Sequence, residues 1–174
     1  VRRLTRLAAS LALTLASIGL SACTSTQDVL AKRLIISAAD AQRAGADAFS
    51  QAKLEEAVAI GRCKSKADEQ NIGLVRSTLD ATCETLGAPL PYPSETLNAF
   101  AKPLNALYDA IYAANAARKA AGSITGNTND QLGEALTELA LRLFDFFRDV
   151  KLLPVEKKPI DKAKAAVAKM LPEG

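Results

Sequence analysis

The sequence predicts an all-α fold, a bundle of about four main helices plus a short C-terminal helix. Three observations carry that prediction. Apolar residues recur at spacings of three and four in several long segments, the period of one helix face. No stretch alternates apolar and polar residues with period two over a useful length, so no sheet is expected. Turn and breaker residues, above all Gly87 with Pro89, Pro91 and Pro93, then Gly122–Asn129 and Pro154, fall between the periodic segments.

Residues 1–22 stand outside this pattern. Arg2, Arg3 and Arg6 precede an uncharged apolar run from Leu7 to Leu20, and small residues follow at Ser21 and Ala22. The run is shorter than the roughly 20 apolar residues that span a bilayer. A basic start, a short apolar middle and a small-residue exit are the layout of a secretory signal, with general export favoured over the twin-arginine route. The four residues Leu20-Ser21-Ala22-Cys23 resemble the lipobox of bacterial lipoproteins. In that pattern an apolar residue closes the hydrophobic run, two small ones pass the peptidase, and the cysteine thiol accepts lipid. The resemblance implies that Cys23 is the lipidated first residue of the mature chain. An ordinary signal cut after Ala22, or an uncleaved anchor, is the competing reading. Thr24, rather than aspartate, follows the cysteine. By the same resemblance this implies sorting to the outer membrane, facing the periplasm, in a Gram-negative envelope. The expected organisation is a signal peptide over 1–22, a short polar tether over 23–28 and a single helical domain over 29–174.

The first helix is expected from about Thr26 to about Gly61. Leu34, Ala38, Ala41, Gly45, Ala48 and Ala52 form its apolar seam, and the pattern loses phase at Glu55 and Glu56. A second helix is expected between Ser65 and Leu86, capped by Ser65 with Asp68, with Ile72, Val75, Leu79, Cys83 and Leu86 on one face. Gly87 ends it and the proline-rich segment to Pro93 is extended. A third helix opens at Ser94, with Leu97, Phe100, Leu104, Leu107, Tyr108 and Ile111 as its bulky face and a kink or restart at Pro103. Ala106, Ala110, Ala113, Ala117 and Ala120 line roughly its opposite side. A helix apolar over most of its circumference has neighbours on two sides, so this one is placed centrally. The alanine stripes of the first and third helices are candidates for a close mutual contact, although alanine is also simply a good helix former. A fourth helix follows the turn-rich loop, with Thr128 and Gln131 spaced as a capping box. Leu132, Leu136, Leu139, Leu143, Phe147 and Val150 make its stripe. A last helix starts near Pro159 with Ile160, Ala163, Val167 and Met170 inward.

Composition excludes several functions. Setting aside Arg2, Arg3 and Arg6, the chain has 19 basic and 19 acidic residues, so a nucleic-acid partner is not expected. With no histidine, imidazole acid–base catalysis, serine–histidine and cysteine–histidine pairs and histidine metal sites are out of reach. The glycines match no phosphate loop. No catalytic residue, metal ligand or cofactor-binding residue is assigned. Asp145 and Asp149 beside Arg142 and Arg148 read as a solvated, salt-linked helix face. The lysines of the last helix read the same way, with contact to anionic lipid or cell wall as the competing reading.

Cys63 and Cys83 remain once Cys23 is committed to lipid, and an even pair in an exported chain usually bridges. A continuous helix from 66 to 83 would hold them about 25 Å apart. A bridge needs Cα atoms within about 7 Å. Either the thiols are unpaired, or the chain reverses between them at Asn71-Ile72-Gly73; the second arrangement is preferred. The function expected is a membrane-anchored, non-enzymatic binding or structural module, with a protein of the envelope as partner. A carrier of a hydrophobic ligand in a bundle cavity is the alternative, and an enzyme or enzyme inhibitor stands behind both.

Overall fold

The computed structural model describes residues 24–121 and 128–170. Residues 1–23, with the expected signal peptide and Cys23, and residues 122–127 and 171–174 lie outside the described residues, as do the side chains of residues 24–27, 128 and 129. The described residues form an all-α bundle without strands. Its helices are α1 (Thr24–Glu69), α2 (Leu79–Thr85), α3 (Ser94–Ala121), α4 (Thr128–Asp149) and α5 (Lys157–Ala168). Short 3-10 turns at Arg76–Thr78 and Val150–Leu152 lead into α2 and out of α4.

The seam of α1 is as thin as the sequence suggests, and the reason is on its partners. Leu34, Ala38, Ala41, Ala48 and Ala52 are all buried. A Cβ added at Gly45 would lie 2.8 and 2.9 Å from two ring atoms of Phe146 and 3.0 Å from a methyl of Leu104. Small residues on α1 thus leave room for the bulky side chains of α3 and α4. Those bulky residues meet in an aromatic row. Phe49 stacks at 6.3 Å on Phe100, which meets Phe146 at 5.9 Å.

Helix α3 packs directly on both α1 and α4, the central place expected for it. It runs antiparallel to α1. Arg118 near its end pairs with Asp28 at 3.2 Å, and Ser94 at its start donates to buried Glu56 at 3.3 Å. The buried face of α3 is the bulky one, continued by Ala110 and Ala114. The expected contact between two alanine stripes is therefore corrected. The two helices do touch, but Ala113 and Ala120 are exposed and Ala106 and Ala117 are only half-buried. Tyr108, expected in the core, is exposed as well. Helix α3 continues through buried Pro103 as a single element.

Helix α4 buries Leu136, Leu139 and Leu143, with Leu132, Phe147 and Val150 half-buried. Its most enclosed aromatic, Phe146, sits one residue off the expected stripe. Helix α5 begins two residues before Pro159 and packs on α1 through Ile160, Ala163 and Val167. The proline falls in the first turn, where an N–H has no intrahelical acceptor to lose.

Two boundaries differ from expectation at the start of the chain. The stretch expected as a tether is helical from Thr24, and α1 runs on past Gly61 to Glu69 without a bend-induced end at Glu55–Glu56. The loss of phase had a polar cause. Glu56 occupies an inward position, only 6% exposed, where Lys53 pairs with it at 2.8 Å and Ser94 donates to it. A carboxylate at a core position is tolerated because it is partnered.

Candidate functional site

The arrangement that sets this molecule apart is the far end of α1. Glu56 ties α1 to the start of α3, so the 13 residues Ala57–Glu69 run on beyond α3, about 20 Å at 1.5 Å per residue. The chain then doubles back and lays α2 against this extension.

The reversal is built by two similar helix endings. At the end of α1, Asn71 takes φ 54°, Ile72 N–H donates to Ala67 C=O at 2.8 Å and Asn71 N–H to Asp68 C=O at 3.2 Å. At the end of α2, Gly87 takes φ 63°, Ala88 N–H donates to Cys83 C=O at 2.8 Å and Gly87 N–H to Glu84 C=O at 2.9 Å. Both are Schellman closures, which need a left-handed residue just past the helix and favour glycine or asparagine there. The expected second helix over Ser65–Leu86 is thereby corrected. Its first turn belongs to α1, where the Ser65 hydroxyl bonds back to Gly61 C=O at 3.2 Å instead of capping. Ile72 and Val75, expected on a packed face, are 40% and 57% exposed.

With the chain reversed, Cys63 and Cys83 come together. Their Cα atoms are 5.2 Å apart and a disulfide joins them across a sequence separation of 20. Both are fully buried in a small second core with Ala67 and Leu86, flanked by Leu74, Leu79, Ala88 and Leu90. Lys66 strengthens the same junction. Its ammonium donates to the carbonyls of Leu86 and Gly87 at 3.1 and 2.8 Å, where the end of α2 concentrates negative partial charge. Sequence reasoning missed Lys66, Glu56 and Phe146. Only Glu56 had a readable signal. The α1 seam extended by steps of four and three passes through 56, 59 or 60, 63 and 67, and so joins both carboxylate and cysteine to one face.

The surface around this tip carries exposed apolar side chains. Leu54 and Val58 stand one turn apart on α1 at 65% and 55% exposure, and Ile72 and Val75 cap the reversal. An open groove runs between Arg62, Ser65 and Lys66 of α1 and Gly87, Ala88 and Pro89. A second groove, lined by Asp40, Arg43 and Asp47 of α1 with Glu156, Lys158 and Lys162, lies where α5 meets α1. Neither is lined by a residue of the bundle core.

The carboxylates are taken up in surface pairs. Arg142 bonds Glu138 at 2.6 Å and approaches Asp145 at 3.8 Å, and Arg148 bridges Asp145 and Asp149 at 3.3 and 3.1 Å. The Asp149 hydrogen bond, then the charges of Asp149 and Asp145, raise the pKa of exposed Arg148. This is the salt-linked face read from the sequence. Among the described residues no group of three or more potential ligands could hold a metal ion, and no helix is long and apolar enough to cross a membrane. No protein-family model, curated protein or solved structure matches the chain.

Proposed function

We propose that this chain is an envelope lipoprotein, lipidated at Cys23, that acts as a non-enzymatic binding module for a protein partner. The observation that carries the reading is the span of α1. This single helix of 46 residues starts one residue after Cys23 and ends in the disulfide-joined tip, about 67 Å away at 1.5 Å per residue. Anchor and tip are thereby held at opposite ends of one rigid rod. A lipid on Cys23 fixes one end to a membrane, and the other end offers Val58, Ile72 and Val75 on a covalently braced scaffold. Exposed apolar residues on a rigid element are the material of protein interfaces. Thr24 after the lipidated cysteine supports the outer membrane, periplasmic side, as the address.

Photo-crosslinking in cells tests the reading. A photoreactive residue at Val58 or Ile72 is expected to trap one discrete envelope protein, and the same residue at Glu134 or Phe144 of α4 is not. Adducts from α4 positions but none from the tip would overturn the assignment of the tip. A hydrophobic small molecule trapped from core positions, with no protein adduct, would favour a carrier instead.

A further inference from the structure

From the charge distribution we infer that the outer face of α5 rests on anionic lipid headgroups of the membrane to which the chain is anchored. This inference deepens the lipoprotein reading and rests on it. The neutral balance of the chain after Cys23 hides a separation of charge. Residues 24–150 carry 13 basic and 16 acidic residues, whereas residues 151–169 carry six lysines against Glu156 and Asp161. Helix periodicity places Ile160, Ala163 and Val167 toward α1, and all three are buried. At 100° per residue Lys158, Lys162 and Lys169 fall on the opposite half of the helix and Lys157 at its edge, while Lys164 flanks the buried side; all five are exposed.

Their number on so short a segment is what sets them apart. Among the described residues none of these five lysines is in an ion pair, which is equally true of most basic residues of 24–150; Lys53, Arg118, Arg142 and Arg148 are the paired ones. Lys164 rests over the Phe147 ring at 5.5 Å and keeps its charge available. Lys158 and Lys162 edge a groove with Asp40, Asp47 and Glu156, but no salt bridge closes across it. A solvated helix face normally interleaves its signs, as α4 does with Glu138, Arg142, Asp145 and Arg148. An excess of unpaired lysine on one face of a membrane-tethered domain is complementary to an anionic leaflet.

The geometry allows both contacts. Helices pack 8–10 Å apart and have a half-width of 5–6 Å, so the outer face of α5 stands about 15 Å to the side of the α1 axis. The first turns of α5 lie beside residues 40–47 of α1, in the half of that helix nearer Cys23. One surface can meet the anchor and the lysines together when α1 leans toward it instead of standing upright.

Amine footprinting of the full-length lipidated protein in vesicles tests this. In vesicles with about 30% phosphatidylglycerol, acetylation of Lys157, Lys158, Lys162 and Lys169 should be at least about five-fold slower than in pure phosphatidylcholine vesicles. Lys53, Lys64 and Lys102 should react equally in both. About 0.5 M salt should abolish the protection, because screening shortens the reach of charge. Equal reactivity in both vesicles, or protection that survives in phosphatidylcholine, would overturn the inference. So would protection that arises only when an acidic envelope protein is added. The intact mass of the same preparation reports the anchor separately. A chain without lipid on Cys23 fails the lipoprotein reading, and its footprint on the anionic vesicles still decides the lysine face.

Discussion

The bundle and the tip are two solutions to the same problem on one helix. In the bundle, α1 is held by an apolar core of twenty buried residues from four helices and Leu153 between α4 and α5, with Phe100 and Phe146 at its centre. At the tip the same helix is held by a core of four buried residues, two of them the bridged cysteines. Burial of that little apolar surface does not hold a hairpin closed in water, and a covalent link that limits the open chain compensates. Buried area holds the bundle, and a covalent bond holds the tip.

The contrast can be broken from either side. Phe146→Ala removes one of the two fully buried rings of the bundle and is expected to cost about 3–5 kcal/mol in urea unfolding. The Cys63–Cys83 bridge should persist in the folded remainder, as mass spectrometry without reductant would report. Replacing both Cys63 and Cys83 by serine is expected to cost about 3 kcal/mol, the loop-closure figure for some twenty residues. Hydrogen exchange should place that loss in residues 57–93, leaving α4 protected. A loss spread evenly over the molecule would mean that tip and bundle are not separate units.

Gly45→Ala sharpens the bundle side. The added methyl must displace the Phe146 ring and crowds Leu104, so a loss of about 1–3 kcal/mol is expected. An equal or higher midpoint in urea would show that the ring gives way freely. Arg142→Ala, on the salt-linked face of α4, should change stability by less than about 0.5 kcal/mol.

The two regions also differed in how well the sequence announced them. The bundle's helices were legible because bulky residues such as Leu97, Leu107, Leu139 and Leu143 repeat with the helical period. Phe146 escaped because four consecutive residues from Leu143 to Phe146 include three large apolar side chains, and periodicity alone cannot rank them. Exposed Phe144 and buried Phe146 look alike in sequence. The tip was legible only through a conflict. A helix through 66–83 and a bridge between Cys63 and Cys83 cannot coexist, and Asn71 was the residue able to resolve it by entering the left-handed region. What could not be read was how far α1 continues, because Glu56 interrupts the apolar seam and its partners, Lys53 and Ser94, are fixed only by the fold. The function of the tip was not legible either, since exposed Ile72 and Val75 follow the same spacing as buried residues.

A lipid on Cys23 is the premise of both proposals, the tip as a partner surface and the lysine face of α5 on a membrane. The measurement is the mass of the N-terminal peptide from protein isolated from membranes of the producing cell. The account predicts a peptide that begins at Cys23 and carries a diacylglyceryl group on its thiol. A peptide that begins at Cys23 with a free thiol, or one that still contains residues 1–22 without lipid, would contradict it.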